Sequence, residues 1–230
     1  MAKAAYFTKD LFDFYRELKS NNSREWFEEN KARYEASVRE PIFQFIRDFQ
    51  GPLSEISPSF IASDKKVGGS LFRIQRDIRF SANKLPYKTH AGIYFKHRDE
   101  KDCHSPGFYL HLEPGSVFLG AGIWQPEPKV AQQIREHISD HRESWKKIIS
   151  GKPFAQSWTI DDSEKLVRPP KGFTPEDELV EHLKLKQFIG MHPLSEELAL
   201  SPKFLSATVK AYQGAAPFVR FLAQALECDW

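Results

Sequence analysis

The chain has 230 residues, of which 40% are hydrophobic and 28% are charged, with a formal net charge of +2. This composition is typical of a globular protein with a substantial core, and its near-neutral charge argues against a general polyanion binder. Because the two cysteines give neither a disulfide framework nor a CxxC zinc pair, and no apolar run is long enough for a signal segment or a membrane span, we expect a cytoplasmic protein without membrane contact.

The first sixty residues are predicted to form helices. Apolar residues at helical spacing indicate a first helix, and Asn22 with Glu25 has the capping-box spacing that begins a second one. Pro41 should kink this second helix or begin a new helix, which the Gly-Pro pair at residues 51–52 should end. The aromatic-rich faces of these helices are typical of a protein core rather than a cofactor site.

From residue 60 to residue 124 the apolar pattern changes to a period of two, and turn residues become frequent. This change predicts an antiparallel sheet. The expected strands cover residues 60–66, 71–80, 89–97 and a hairpin at residues 107–124.

A polar loop is expected between the third strand and the hairpin. It contains five side chains that can bind metals: His97, Asp99, Asp102, Cys103 and His104. Their spacing matches no recognised metal site. We therefore expect a solvated loop here, and the sequence predicts neither a metal nor a cofactor.

The basic segment, residues 71–88, carries the strongest functional signal. Its cations are Arg73, Arg76, Arg79, Lys84 and Lys88, and Asp77 is its single acid. Read as a strand, the segment places Arg76 among apolar side chains, so we expect either a bulge or a pairing with a carboxylate. Residues 81–88 should form a loop that adds the hydroxyl of Tyr87. Such a cluster suits phosphate or carboxylate recognition, and an ion-paired strand with a solvated loop is the alternative.

Three motifs resemble those of one known group of proteins. They are NNSREWF at residues 21–27, RIQRDIRFSANKLPYK at residues 73–88 and PPKGF at residues 169–173. Together they are similar to a conserved hypothetical family of bacterial and fungal proteins, a domain of unknown function. Asp177 stands where that family commonly has a histidine. The resemblance implies one full-length domain, residues 1–230, and implies no known activity.

The hairpin predicts a flat surface on one side of the sheet. If its register is symmetric about Pro114 and Gly115, Leu110 lies opposite Leu119 and their face joins the core. The other face then carries aromatic residues, a histidine and glycines: Tyr109, Phe118, Trp124, His111, Gly120 and Gly122. Glycines inside strands leave a bare floor on which either a small ligand or a helix could lie.

The last hundred residues are predicted to form helices and short strands. A long helix should run over residues 128–151 and could cover the sheet, and another is expected at residues 174–186. Short strands are expected at residues 158–160, 166–168 and 188–192, and Gly214 should divide the C-terminal helices. The predicted fold is therefore α+β: an antiparallel sheet of about residues 60–124 plus short later strands, flanked by N-terminal and C-terminal helices.

The first functional hypothesis is a basic, aromatic-lined pocket for a small phosphate- or carboxylate-bearing ligand, in an enzyme or former enzyme. The ligand would contact Arg73, Arg76, Arg79, Lys84, Lys88, Tyr109 and Trp124. His111, Tyr87 or Asp77 would move a proton, although arginines lower the pKa of Asp77 and suit it better to orienting them. The motifs GxxxxGK[ST], GxGxxG, GxSxG and HExxH are absent from the sequence, which excludes the commonest nucleotide, hydrolase and zinc-protease sites.

Two other classes of function are open. In a nucleic-acid-binding module, the basic loop would follow phosphates while Tyr109, Phe118 or Trp124 stacks on bases. In a protein-interaction scaffold, tryptophan and arginine side chains would anchor a partner. The sequence leaves open the oligomeric state and whether Arg168 and Lys171 join the basic segment.

Overall fold

A computed structural model describes residues 4–98 and 105–230. Its helices are α1 (Lys9–Ser20), α2 (Arg24–Glu29), α3 (Lys31–Tyr34), α4 (Glu40–Ile56), α5 (Pro128–Asp140), α6 (Arg142–Ser150), α7 (Lys152–Ala155), α8 (Val180–Leu183), α9 (Glu196–Ala199) and α10 (Phe204–Ala225), with a π-helical turn, Glu35–Arg39, before α4. The strands are β1 (Phe60–Ile61), β2 (Ala91–His97), β3 (Gly107–Glu113), β4 (Ser116–Ile123), β5 (Thr159–Ile160) and β6 (Phe188–Leu194). Most of the polar loop considered for a metal, with Asp99, Asp102, Cys103 and His104, lies outside the described residues.

The fold is α+β, as predicted. Over the described ranges the strands form an antiparallel six-stranded sheet in the order β1-β2-β3-β4-β6-β5. The predicted hairpin register is confirmed, because Leu110 pairs with Leu119 and the turn consists of Pro114 and Gly115. Gly115 has φ +77°, a conformation that glycine adopts without steric strain.

One face of the sheet packs on helices and forms the core. Phe95 of β2 lies 4.7 Å from Phe49 of α4, and Phe108 of β3 lies 4.9 Å from Tyr212 of α10, measured between ring centroids. Tyr212 is fully buried, and its hydroxyl donates a 2.7 Å hydrogen bond to the carbonyl oxygen of Tyr109. The position of β3 is therefore tied directly to the longest helix.

The N-terminal helices differ from the prediction at the start of α2 and at the end of α4. Ser23, and not Asn22, caps α2, because its hydroxyl accepts the backbone N–H of Trp26. Pro52 lies inside α4, which continues to Ile56 instead of ending at the Gly-Pro pair. The buried side chain of Leu53 follows Pro52 directly, and its packing holds this last part of the helix in place.

Four predictions for the C-terminal half are wrong. The expected helix over residues 128–151 is divided at His141 into α5 and α6, which pack on Phe221 of α10 rather than forming one cover for the sheet. Gly214 does not divide α10; a Cβ there would lie 2.8 Å from the carbonyl oxygen of Pro153, so glycine permits close approach of α7. The strand expected at residues 166–168 does not form in this described stretch.

The helix expected over residues 174–186 is reduced to the single turn α8. The carboxylate of Asp177 accepts the backbone N–H of Leu179 and two hydrogen bonds from Arg142, which hold the preceding residues in a turn. In the parts of the chain that the structure describes, none of the helices has both the length and the apolar character needed to cross a membrane.

Candidate functional site

The basic segment, residues 71–88, is irregular throughout: residues 71–80 do not form the predicted strand, and residues 81–88 form a loop as expected. Isolated bridges at Leu71 and Gln75 are the only ladder contacts that this fully described stretch forms. Ile74 is the buried member of the apolar face expected for a strand, whereas Phe80 is 95% exposed. The segment therefore leaves most of its charged side chains in solvent.

Arg76 and Asp77 make contacts within this loop. Because residues 71–80 form no strand, the predicted bulge does not occur. Within the described residues, Arg76 Nη1 donates to the carbonyl oxygen of Leu85 at 3.1 Å and does not pair with a carboxylate. Asp77 pairs with Arg79 at 2.7 Å, and hydrogen bonds from Arg79 lower the Asp77 pKa to about 2. At neutral pH Asp77 is therefore an ionised partner of an arginine, which makes it a poor proton acceptor.

The face of the sheet opposite α4 and α10 holds a cavity of about 560 Å³. Strands β2, β3, β4 and β6 contribute to its lining, and its walls are largely aromatic: Phe72, Tyr94, Tyr109, Phe118 and Trp124. The surface predicted from the hairpin therefore lines a cavity, and no helix of residues 4–98 and 105–230 packs on it. Its volume falls in the range typical of sites for small organic molecules.

Glycines on adjacent strands make room for the aromatic walls. A Cβ at Gly92 would lie 2.7 Å from the hydroxyl oxygen of Tyr109, and a Cβ at Gly107 would lie 2.6 Å from the ring of Tyr94. Gly120 is different, because the nearest atom to its Cβ position, the Cβ of Tyr109, is 3.4 Å away. Gly120 is therefore the bare floor of the cavity.

Tyr109, His111 and Glu113 project from the same face of β3 and form a hydrogen-bonded chain. His111 Nε2 lies 3.2 Å from Glu113 Oε2, and His111 Nδ1 lies 3.0 Å from the Tyr109 hydroxyl oxygen. An ionised carboxylate only accepts hydrogen bonds, so Nε2 carries the proton and the Tyr109 hydroxyl donates to Nδ1. The hydroxyl of Thr89 donates to the other oxygen of Glu113 at 3.3 Å. This chain fixes both the tautomer and the orientation of His111.

His90 lies beside this chain, with its ring centroid 4.4 Å from that of His111. Burial, and secondarily the nearby His111, lower the pKa of His90 to about 4. Burial also lowers the pKa of His111, although the hydrogen bond to Glu113 opposes this effect. Burial raises the pKa of Tyr109 well above its usual range. At neutral pH the site therefore presents two neutral imidazoles and a neutral phenol.

The structure brings four of the predicted site residues to the cavity: Lys88, Tyr109, His111 and Trp124. Lys88 Nζ lies 5.2 Å from the ring centroid of Phe72. Tyr87 is buried instead against Phe27, with ring centroids 4.2 Å apart. Among the described residues, the lining does not include Arg73, Arg76, Arg79, Lys84, Asp77, Tyr87, Arg168 or Lys171.

Asp161 and Gln187 line the other end of the cavity. Gln187 Nε2 donates to Asp161 Oδ2 at 2.7 Å. Gln187 directly precedes β6, whose residue Ile189 pairs with Gly122, so these side chains lie at the end of the strands away from His111. The cavity thus has two polar ends joined by an aromatic middle.

Sequence reasoning missed His90 and Glu113. Both could have been found by continuing the period of two along the strands: His90 shares the face of Gly92 and Tyr94, and Glu113 lies two residues beyond His111. Neither residue stands out in the charge pattern of the sequence, which the basic segment dominates.

The comparisons with known proteins identify one matching family. A search of curated proteins found no match. A family model described as "Conserved hypothetical protein (DUF2461)" matches residues 10–221, which is most of the chain and includes the basic segment and every residue of the cavity lining. The chain therefore belongs to this conserved hypothetical family, DUF2461.

Proposed function

We propose that the cavity binds a small molecule with a flat aromatic or apolar body and one anionic group. The observation that carries this proposal is the hydrogen-bonded chain of Tyr109, His111 and Glu113, which opens onto an aromatic cavity with Lys88 in its wall. Aromatic side chains bind flat apolar groups, and a few well-placed polar groups then orient the ligand.

Lys88 is the group that we expect to contact the anion. It is the one charged side chain of the basic segment found in the lining among the described residues. A phosphate monoester carries nearly two negative charges at neutral pH, whereas a carboxylate carries one, which a single lysine can balance. A carboxylate-bearing ligand therefore fits the cavity better than a phosphate ester.

The same chain of residues can move a proton. A ligand proton would pass to the Tyr109 hydroxyl oxygen while the Tyr109 proton moves to His111 Nδ1, which forms an imidazolium paired with Glu113. The raised pKa of Tyr109 makes a lasting phenolate unfavourable, so His111 is the group that holds the transferred charge. This chemistry corresponds to a general base within an enzyme or former enzyme.

The test is thermal stability of the purified chain against a panel of aromatic carboxylates, aliphatic carboxylates and phosphate esters. A bound ligand raises the unfolding temperature as its concentration exceeds its dissociation constant. We expect a shift with aromatic carboxylates that Lys88→Met removes. Lys84→Met is the matched control, because Lys84 Nζ donates to the carbonyl oxygen of Ile78 within the loop.

Either of two results would contradict the proposal. One is the absence of any shift across the panel in the wild-type protein. The other is an equal loss of the shift in Lys84→Met and Lys88→Met, which would place the anion on the loop and outside the cavity.

A second candidate function is nucleic-acid binding by the exposed part of the basic segment. Phe80 is 95% exposed, and the Arg79 guanidinium lies 5.7 Å from its ring centroid, an arrangement that suits base stacking beside a phosphate contact. This candidate predicts oligonucleotide binding that weakens with salt and is lost in Phe80→Ala. If the protein forms a stable homo-oligomer and binds neither small ligands nor oligonucleotides, the protein-interaction scaffold is the favoured function instead.

A further inference from the structure

Three side chains at one end of the cavity bring metal-binding atoms together. His90, His111 and Glu113 each offer one such atom, and these atoms lie within 4.8 Å of one another. His111 and Glu113 are two residues apart on one face of β3, and His90 directly precedes β2, which pairs with β3. The sheet itself therefore creates the cluster.

The distances between these atoms are close to those between the ligand atoms of a bound transition-metal ion. Nitrogen and oxygen ligands about 2.1 Å from a tetrahedral zinc ion lie about 3.4 Å from each other. His111 Nε2 and Glu113 Oε2 are already 3.2 Å apart. Small side-chain rotations would bring the His90 ring nitrogen to the same centre, because its ring centroid lies only 4.4 Å from that of His111.

The surroundings of the cluster match what metal ligands require. Ligating histidines usually donate their second ring N–H to a fixed acceptor, and ligating carboxylates are themselves hydrogen-bonded. When Nε2 of His111 binds a metal, its proton moves to Nδ1, where the Tyr109 hydroxyl oxygen at 3.0 Å can accept it. Thr89 already holds the second oxygen of Glu113 at 3.3 Å. Both ligands are therefore oriented before any metal arrives.

We propose that His90, His111 and Glu113 bind one divalent transition-metal ion whose remaining coordination positions face the cavity. Two imidazoles and one carboxylate are a donor set used for zinc and for non-haem iron(II), and both sites keep open positions for water or substrate. Both histidines line the cavity, so those positions are directed at its contents. A metal on Nε2 leaves the proton on Nδ1, so His111 then no longer acts as the general base proposed above. The ligand proposal is unaffected, and metal binding is measured without any organic compound.

The test is calorimetric titration of ZnCl₂ into the full chain, after removal of metals by EDTA and without a histidine tag. We expect one equivalent of zinc per chain. His90→Ala and Glu113→Gln should each lower the affinity by more than the roughly 10- to 100-fold typical of outer-shell substitutions, and Thr89→Val should stay within that range. Glu113→Gln keeps the shape of the side chain, so its result holds even if a larger truncation fails to fold.

A surface histidine pair provides the control. His137 and His141 lie on α5 and at its end, with ring centroids 4.2 Å apart, and could also take up zinc. His141→Ala should leave the stoichiometry and the affinity of the single site unchanged. The proposal is overturned if wild type takes up no zinc, or if uptake is lost in His141→Ala and retained in His90→Ala and Glu113→Gln. Cobalt(II) absorption that indicates ring nitrogen ligands in wild type, but not in His90→Ala, would support it independently.

Discussion

The side-chain amide of Asn22 forms two hydrogen bonds with the backbone of Tyr87. Asn22 Nδ2 donates to the Tyr87 carbonyl oxygen at 3.0 Å, and Asn22 Oδ1 accepts the Tyr87 N–H at 3.0 Å. The Tyr87 ring stacks on Phe27 of α2, 4.2 Å between centroids. Residues before α2 and at the end of the basic segment are thereby joined, and Lys88 enters the cavity from this fixed point.

The first prediction concerns this connection. Asn22→Ala removes both partners of the Tyr87 backbone and should lower the free energy of unfolding by roughly 1–3 kcal/mol, as expected when buried polar groups lose their partners. Asn21→Ala is the control, because Asn21 is exposed and bonds only within its own helix end, to the Glu17 carbonyl oxygen. Its effect should be about 0.5 kcal/mol or less. Denaturant unfolding measures both, and equal losses would show that the connection does not hold the loop.

The second prediction compares two glycines on opposite faces of neighbouring strands. A Cβ at Gly190 would lie 2.9 Å from Phe154, which is buried, so Gly190→Ala should destabilise the protein by about 1–3 kcal/mol. Gly120→Ala adds a methyl group to the cavity floor at ordinary contact distance and should change stability by less than about 1 kcal/mol. It should weaken binding of any compound that occupies the cavity.

Thermal unfolding and ligand titration of the two variants separate these effects. A Gly120→Ala variant that binds as tightly as wild type would show that the ligand does not reach the floor. A Gly190→Ala variant as stable as wild type would show that Phe154 moves aside without loss of packing.

How much the sequence could predict differs between the sheet and the basic segment. The hairpin register followed from alternation, because Leu110 and Leu119 must share the buried face. In residues 71–80 the same alternation predicted a strand that does not form. Arg76 finds loop acceptors such as the Leu85 carbonyl oxygen, and the side chains of Asn22 and Asn83 accept backbone N–H groups of the segment, so the strand ladder is not needed to satisfy its polar groups.

The sequence predicted part of the candidate site, chiefly residues that local periodicity places on one face of a strand. Tyr109 and His111 were found because they lie on one face of a clear hairpin. Lys88 reaches the cavity because of where its loop ends, and His90 reaches it because β2 lies beside β3. Local periodicity in the sequence predicts neither the end of the loop nor the neighbour of β3. Among the described residues, the arginines of the basic segment do not line this cavity, because charge excess along a chain does not determine which side chains share a cavity.

The third prediction concerns pH and the pair of Asp177 and Arg142. Two hydrogen bonds from Arg142, at 2.9 and 2.6 Å, lower the Asp177 pKa below its ordinary value of 3.8, and the N–H of Leu179 adds to this effect. A carboxyl group with a lowered pKa in the folded state stabilises the fold above its unfolded pKa, and this contribution disappears as pH falls through the folded value.

Asp177→Asn should therefore lower the unfolding temperature at pH 7 by a few degrees at most, since the pair is partly exposed to solvent. The difference from wild type should shrink steadily below pH 3.8. Unfolding temperatures measured at a series of pH values check this. A difference that stays constant into acid would assign the effect to the turn at Leu179 and not to the ion pair.

The last prediction compares two buried hydroxyl groups one turn apart on α10. The Tyr212 hydroxyl donates to the Tyr109 carbonyl oxygen at 2.7 Å, whereas Thr208 Oγ1 has no hydrogen-bond partner within residues 4–98 and 105–230. Tyr212→Phe should lower the free energy of unfolding by about 1 kcal/mol, because a hydrogen bond is lost and a carbonyl loses a partner. Thr208→Val should raise it by about 1 kcal/mol, because burying an unpaired hydroxyl is unfavourable.

The two substitutions should change the free energy of unfolding in opposite directions, although both residues lie on α10. Both side chains are fully buried, so a general loss of packing would lower the stability of both variants. Denaturant unfolding of the two single variants and the double variant measures the two effects and their additivity. A lower stability of Thr208→Val would contradict this prediction. It would mean that the Thr208 hydroxyl is hydrogen-bonded in solution, for instance to a buried water molecule.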